Sequence, residues 1–305
     1  MARKAASMTV ETTNRPLGPP GPPAGQGQKR RKGSNVLIPV LLVLAGLCVL
    51  LYPVVATQWN NWQQTRVADA YAQFESTQAP EVIDQQLSDA LEYNATRGQA
   101  TLSDPWSGTQ DRHNAEYQAY EQQLANYEAM GRIAIPKASI NLPIYHGTSH
   151  EVLQRGVGHL FGTDLPVGGE NRHAALTGHT GLQNATLFDN LSTVAVGDAV
   201  YLHVAGQKMK YQVFDIDVVL PEEVDSLARV EGKDLITLVT CTPYGINTHR
   251  LLVHAERVPM DPEEEGVFED SGFHWQWWMW AFLAAALLVL LVLGLWLRST
   301  LRKNK

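Results

Sequence analysis

Two uncharged stretches of 21 residues, Val36 to Ala56 (VLIPVLLVLAGLCVLLYPVVA) and Trp277 to Leu297 (WWMWAFLAAALLVLLVLGLWL), constrain this 305-residue chain more than any other feature. Each is long enough to cross a hydrocarbon layer of about 30 Å as a helix. Trp275, Trp277, Trp278 and Trp280 gather at one end of the second stretch, as an aromatic belt would. Two buried core helices are the competing reading, and the flanks argue against it. Lys29, Arg30, Arg31 and Lys32 precede the first stretch, and Arg298, Arg302, Lys303 and Lys305 follow the second. The positive-inside rule therefore predicts two transmembrane helices with both termini cytoplasmic and the middle of the chain outside.

That middle carries 13 Lys and Arg against 30 Asp and Glu, a net charge of −17. It reads as a solvated acidic domain with no basic patch for nucleic acid. A cleaved signal peptide ending at Val54-Val55-Ala56 is the alternative for the first stretch, but the apolar run exceeds a usual signal core, which favours an uncleaved anchor. Pro16 to Gly25 (PLGPPGPPAG) lacks the side chains to build a core and reads as disordered tail.

The cysteines sharpen the picture. Cys48 lies in the first apolar stretch and Cys241 is alone in the middle region, so the outer domain has no disulfide of its own. Cys241 is then either a buried structural thiol or a reactive one.

Between the apolar stretches the periodicity changes once. Ile83, Leu87, Ala90, Leu91 and the Tyr93-Asn94 pair recur near helical spacing, and Tyr117, Tyr120, Leu124 and Tyr127 do so more cleanly, predicting two amphipathic helices, the second ended by Gly131. A breaker-rich link, "TLSDPWSGT" (101–109), joins them. From Arg132 onward seven or eight short alternating runs separated by Gly, Pro and Asn predict a closed barrel or a sandwich. Val200, Leu202 and Val204, then Met209, Tyr211 and Val213, read as a hairpin turning at Ala205-Gly206-Gln207. Helical spacing returns only near Glu222 to Val230.

In "DLITLVTC" the residues Leu235, Thr237, Val239 and Cys241 share one strand face, which puts the thiol at the strand's last position before Pro243. "HRLLVHAER" then places Arg250 near the start of the following strand; if the two strands pair, thiol and guanidinium leave the sheet at the same end. Of the ten histidines, His179 in "LTGHTGL" stands in a Gly-flanked loop after a short strand, where a side chain can be aimed, while the others read as surface or packing residues. None shows zinc-motif spacing, so no metal and no cofactor are expected. With ordinary values near 8.5 and 6.5, the thiolate–imidazolium form makes up only about one per cent of such a pair. Arg250 can tune that balance or stabilise an oxyanion; its simpler role is a strand-edge salt bridge.

These residues resemble a known family. "TLVTCTPYGINTHRLLVHAER" is similar to the cysteine signature of the sortases with its following arginine, and "LTGHTGL" resembles their histidine segment. "IPKASINLPIYHGTS" and "GVGHLFGTDLPVGGENRHAALTGH" are similar to class C, pilin-polymerising sortases, so the resemblance covers about 131–259. It implies a mainly β fold, a closed eight-stranded barrel with N-terminal helices and a lid, and His179, Cys241 and Arg250 as the catalytic group. It also gives "SDPW" a meaning: Asp104, Pro105 and Trp106 become a lid in which Asp104 faces Arg250 and Trp106 covers Cys241. Read by itself, Asp-Pro is a turn signal in a helix connector. Thr180, where many class C members have a larger basic residue, and His254-Ala255, in place of a basic-glycine pair, depart from the pattern.

The expected organisation is a basic tail (1–34), a transmembrane helix (35–57), N-terminal helices with the lid at 101–109 (58–130), a catalytic barrel (131–260), an acidic linker (261–274), a second transmembrane helix (275–297) and a basic tail (298–305). The activity implied is cleavage of LPXTG-like sorting signals between Thr and Gly through a thioester, followed by transfer to a pilin lysine. The implied partners are pilin subunits and the membrane. Alternatives are a housekeeping sortase acting on cell-wall cross-bridges, a Cys-His hydrolase, and a membrane-tethered β-domain for adhesion with a structural thiol.

Overall fold

The computed structural model describes residues 36–98, 102–107, 113–269 and 275–303. The basic tail expected over 1–34 and the ends of the lid and linker lie outside these residues. Eight strands form one closed barrel in the order β1-β2-β3-β4-β7-β8-β6-β5. They are β1 (Gly131–Ile135), β2 (Ile140–His146), β3 (Val157–His159), β4 (Arg172–Thr177), β5 (Ala199–Val204), β6 (Gln207–Val219), β7 (Asp234–Thr242) and β8 (His249–Val258). Pairing is antiparallel except at β2–β3 and β4–β7, which run parallel.

Alternation decides what faces inward. Ile133, Ile135, Ile144, Leu176, Val200, Leu202, Met209, Tyr211, Ile236, Leu238 and Val253 fill one continuous core. Each such side chain contributes about 1.5–3 kcal/mol of transfer free energy when fully buried. The hairpin prediction holds with a tighter turn: Val204 pairs with Gln207, leaving Ala205 (φ 46°) and Gly206 (φ 74°) as the two turn residues. Positive φ at both positions matches the turn whose twist suits a two-residue hairpin.

Strand β7 is buried on both faces. Ile236 and Leu238 point into the core, while Val239 joins Leu160, Ala175, Leu227 and Leu252 in a second, outer cluster. Leu102 and Trp106, from the link before the barrel, pack on that outer cluster. This explains why apolar residues stand on both faces of "LITLV".

The N-terminal helices depart from the sequence expectation in two ways. Helix α1 (Leu37–Thr77) does not stop at the end of the apolar stretch but continues through residue 77, carrying Pro53 within it. Its second half gains a place to pack: Tyr71, Ala129 and Tyr145 form a buried cluster with Val67, Tyr127 and Val152 beside it. Helix α2 (Pro80–Thr96) is as expected, with Ala90 and Asn94 fully buried. Asn94 trades two hydrogen bonds with the backbone of Leu165, at 3.0 and 2.8 Å.

Helix α3 (Ala115–Glu121) is shorter than predicted and does not reach Gly131. Tyr117, Tyr120 and Leu124 all enter the main core, but Leu124 adopts φ 52°, which ends the helical path. Tyr127 instead stacks on Phe74 of α1, at 5.1 Å between ring centroids. Gly131 opens β1, where a Cβ would lie 2.5 Å from Val204 Cγ2. The helical spacing near 222–230 becomes a single 3-10 turn, Asp225–Leu227. Two further helices complete the description, the short α4 (His150–Arg155) and the long α5 (Trp277–Lys303). Both α1 and α5 are long and apolar enough to cross a membrane.

Candidate active site

Register brings the predicted residues to one end of the barrel. Cys241 of β7 lies directly opposite Arg250 of β8 in the antiparallel ladder, so their side chains leave the sheet on the same face. On the other side, β4 runs parallel to β7 with Thr177 opposite Val239. Two residues further along both strands stand His179 and Cys241. The link between them is tied by Gly178 N–H donating to the Val239 carbonyl (3.0 Å) and the Thr240 hydroxyl donating to the Gly178 carbonyl (2.7 Å). Gly178 has no room for a side chain, since a Cβ there would lie 2.6 Å from the Phe188 ring.

The segment 102–107 lies over this face. Arg250 donates from Nε to Asp104 Oδ1 (2.7 Å) and from Nη2 to Asp104 Oδ2 (3.0 Å), a two-pronged ion pair whose side chains are only 10% and 15% exposed. The same guanidinium sits 4.7 Å from the centre of the Trp106 ring. Trp106 Nε1 donates to His179 Nδ1 at 3.3 Å. Pro105 between them is buried, and Ser107 N–H closes the turn on the Asp104 carbonyl at 2.9 Å. Asp104 therefore faces Arg250, and the Trp106 ring rests on His179 and Arg250.

The electrostatics of this arrangement suppress the thiol. Burial pushes Cys241 up, the Arg250 charge pulls it back, and the Asp104 carboxylate adds to the rise; the net shift is upward. Cys241 is 8% exposed. Burial lowers His179, and the neighbouring His150, with ring centroids 6.2 Å apart, works in the same direction. A neutral His179 that accepts at Nδ1 carries its proton on Nε2, and that atom is buried without a partner among the described residues. For Arg250, burial opposes the charge, but the Asp104 hydrogen bonds and the charges of Cys241 and Asp104 hold the guanidinium above its ordinary value. The face thus presents a protonated thiol, a neutral imidazole with an idle N–H, and a cation whose donor fork is occupied.

Other histidines have packing partners. His173 Nε2 and His254 Nδ1 each lie 2.7 Å from the Thr237 hydroxyl, behind the site. His159 is fully buried between the Tyr120 hydroxyl and the Asp164 carbonyl, and burial pushes it down to about 3. The departures from the family pattern also have places: Thr180 donates to Asp189 Oδ1 at 3.1 Å, and Ala255 is buried in the core. Sequence reasoning missed two residues here, His150 against His179 and Asp189 beneath the loop that follows it. Neither lies in a local pattern that would single it out. Among the described residues no group of three or more His, Cys, Asp or Glu is placed to hold a metal ion.

The chain has known relatives. A family model described as the sortase domain matches residues 133–258. The chain is similar to sortase A of Streptococcus agalactiae serotype III (strain NEM316), 28% identical over 228 residues, which is 72% of this chain and 83% of that protein. Its structure resembles the crystal structure of sortase C-1 from Actinomyces oris, 53% identical with a TM-score of 0.58, covering 59% of this chain and 99% of that one. It also resembles a sortase C of Streptococcus pneumoniae whose structure was described for its insight into catalysis and pilin substrate specificity: 37% identical, TM-score 0.59, 64% of this chain and 97% of that one.

Proposed function

Because the chain belongs to the sortase family of cysteine transpeptidases, with its structural likeness among class C members, we propose that it is a membrane-anchored, pilin-joining enzyme with Cys241, His179 and Arg250 as its reactive group. The observation that carries the reading is the pairing of Cys241 with Arg250 across β7–β8, beside His179, beneath Asp104 and Trp106. The pilin substrate is the finer part of the reading, supported by the described specificity of the Streptococcus pneumoniae relative and by a covering segment that a donor peptide must displace.

The first step needs the segment 102–107 to move away. Release of Asp104 frees the Arg250 fork and removes the negative charge that raises the thiol. The Cys241 thiolate then attacks the Thr–Gly carbonyl of an LPXTG-like donor, Arg250 donates to the oxyanion, and protonated His179 delivers a proton to the departing amine. The product is a thioester on Cys241. A lysine amine of the next subunit resolves it into an isopeptide bond.

Helices α1 and α5 anchor this centre to a membrane in the proposed topology, with both basic tails on the inner side. The test is mass spectrometry of the full-length chain in detergent micelles, carrying Asp104→Asn to release Arg250. Incubation with a sorting-signal peptide is expected to expel the C-terminal fragment and leave a thioester on Cys241, and Cys241→Ala is expected to give neither. A peptide cleaved without a thioester, or no cleavage in the Asp104→Asn background, rejects the assignment. A cross-bridge peptide outcompeting a pilin-lysine peptide as acceptor would move the enzyme to the housekeeping type.

A further inference from the structure

Asp189 joins the two loops that carry the proposed nucleophile and base. Its Oδ1 accepts from Gly181 N–H (2.7 Å) and from the Thr180 hydroxyl (3.1 Å), the two residues after His179. Tyr244, three positions past Cys241, lines the same cavity as this carboxylate, with its hydroxyl near enough to influence it. None of these partners is a cation, and burial pushes the Asp189 carboxyl up.

The carboxylate does not face empty packing. It lines a cavity of about 670 Å³, together with Leu182 and Tyr244 from the barrel loops and Trp277, Trp278 and Phe282 from α5. Helix α1 closes the other side and is fastened to the same loop: Asn61 exchanges hydrogen bonds with the Thr186 hydroxyl (2.8 Å) and amide (3.0 Å), and Asn60 donates to the Asn184 carbonyl (2.7 Å). The crevice is thus an aromatic and aliphatic trough with a carboxylate in its wall whose named partners are all neutral, walled in part by the loops that follow His179 and Cys241.

We propose that this crevice is the acceptor subsite, binding a lysine side chain of the incoming protein with its ammonium on the Asp189 carboxylate and its methylene stem along Leu182 and the indole rings. This rests on the transpeptidase reading above and adds the recognition of its second substrate. Lysine matches the trough in both respects: a long apolar stem that packs, and a charged head that needs a carboxylate or an aromatic face. The location fits the second half-reaction, since the carboxylate is hydrogen-bonded to the loop of His179, the group that must take up a proton from the amine.

The step balances without a further reactant. The bound ammonium gives one proton to neutral His179, the freed amine attacks the thioester carbon, the C–N bond forms and the C–S bond breaks. Sulfur leaves as thiolate and takes the second nitrogen proton, which leaves the amide and the regenerated thiol.

The experiment is a partition between two nucleophiles, a lysine peptide and hydroxylamine, the latter uncharged at neutral pH. The full-length chain carrying Asp104→Asn, in micelles, is acylated with the sorting-signal peptide and offered both. Adding Asp189→Asn keeps Oδ1 for Thr180 and Gly181 while removing the charge. It is expected to lower the lysine-to-hydroxylamine product ratio about tenfold, with Asp189→Glu restoring most of it. Methylammonium chloride, against sodium chloride at equal ionic strength, is expected to slow the lysine reaction and spare hydroxylamine when Asp189 is intact, which tests the site even if the Asp189→Asn variant does not fold. An unchanged ratio, an equal fall with both nucleophiles, or no competition by methylammonium overturns the proposal. So does a ratio governed by amine-headgroup lipid in the micelle, which assigns the crevice to a lipid. Absence of the thioester is a different failure, that of the transpeptidase reading itself.

Discussion

Two of the carboxylates that the N-terminal half of the chain brings to the barrel, Glu75 and Asp104, make an instructive contrast. Glu75 of α1 receives the Tyr71 hydroxyl at 2.5 Å and the Gly206 amide at 2.9 Å on Oε1, and its Oε2 lies 2.7 Å from His203 Nε2. Tyr71 in turn accepts from the Ala205 amide at 2.9 Å. These are the two amides of the β5–β6 turn, which find their acceptors on α1, and the helix carrying Glu75 is packed into the Tyr71–Ala129–Tyr145 cluster. Asp104 instead pairs through its side chain with Arg250, a group the proposed chemistry needs free. One contact belongs to the fold and the other is, in the proposed mechanism, a latch: the difference lies in whether the partner has other work.

Four measurements probe this division of labour. The largest effect is expected for Arg250→Lys, which keeps the charge but loses the fork: thioester formation in single-turnover mass spectrometry falls by about 10²–10³-fold. A loss under about tenfold would remove Arg250 from the oxyanion role. Glu75→Gln comes next, costing about 1–3 kcal/mol in denaturant unfolding because buried donors lose a charged acceptor. Cys241 alkylation is expected to keep its rate in that variant; faster alkylation would show that clamp and latch are coupled.

Asp104→Asn reverses the pattern. Because the 102–107 segment can lift and return both groups to water, unfolding free energy changes by under about 1 kcal/mol, while iodoacetamide labelling of Cys241 at neutral pH speeds up about tenfold. Equal stability losses for the two substitutions would erase the distinction. The smallest and most specific effect is on pH dependence. Only the thiolate alkylates, and burial together with the Asp104 charge raises Cys241, so the native chain labels with a midpoint above the ordinary thiol value. Removing the Asp104 charge lowers that midpoint, which alkylation rates measured across alkaline pH will show.

The barrel half of the molecule was legible because its rules are local. Alternation in "DLITLVTC" and "HRLLVHAER" predicted which residues share a face, and their direct pairing placed Cys241 against Arg250. His179 was picked from its loop setting, and the parallel register of β4 and β7 is the long-range fact that brings its loop to the end of β7. Asp104 and Trp106 had no such local signal. Asp-Pro reads as a turn whatever lies beneath it, and only the family resemblance gave the segment a place. Periodicity misled at α3, where Tyr127 keeps the spacing but packs on α1 instead. Nor does any pattern predict that Asp189 connects two loops more than fifty positions apart in sequence, because that contact exists only once the barrel closes.

Helix α1 runs unbroken from Leu37 to Thr77, 41 residues, or about 60 Å at the rise of an α-helix. Its upper half is bolted to the β5–β6 turn through Tyr71 and Glu75, and its middle to the 184–186 loop through Asn60 and Asn61. Such a stem has no swivel between bilayer and barrel. In the proposed topology the reactive rim is therefore aimed at a fixed height and heading, and a substrate protein would approach and depart along one direction instead of being chased by a tethered head.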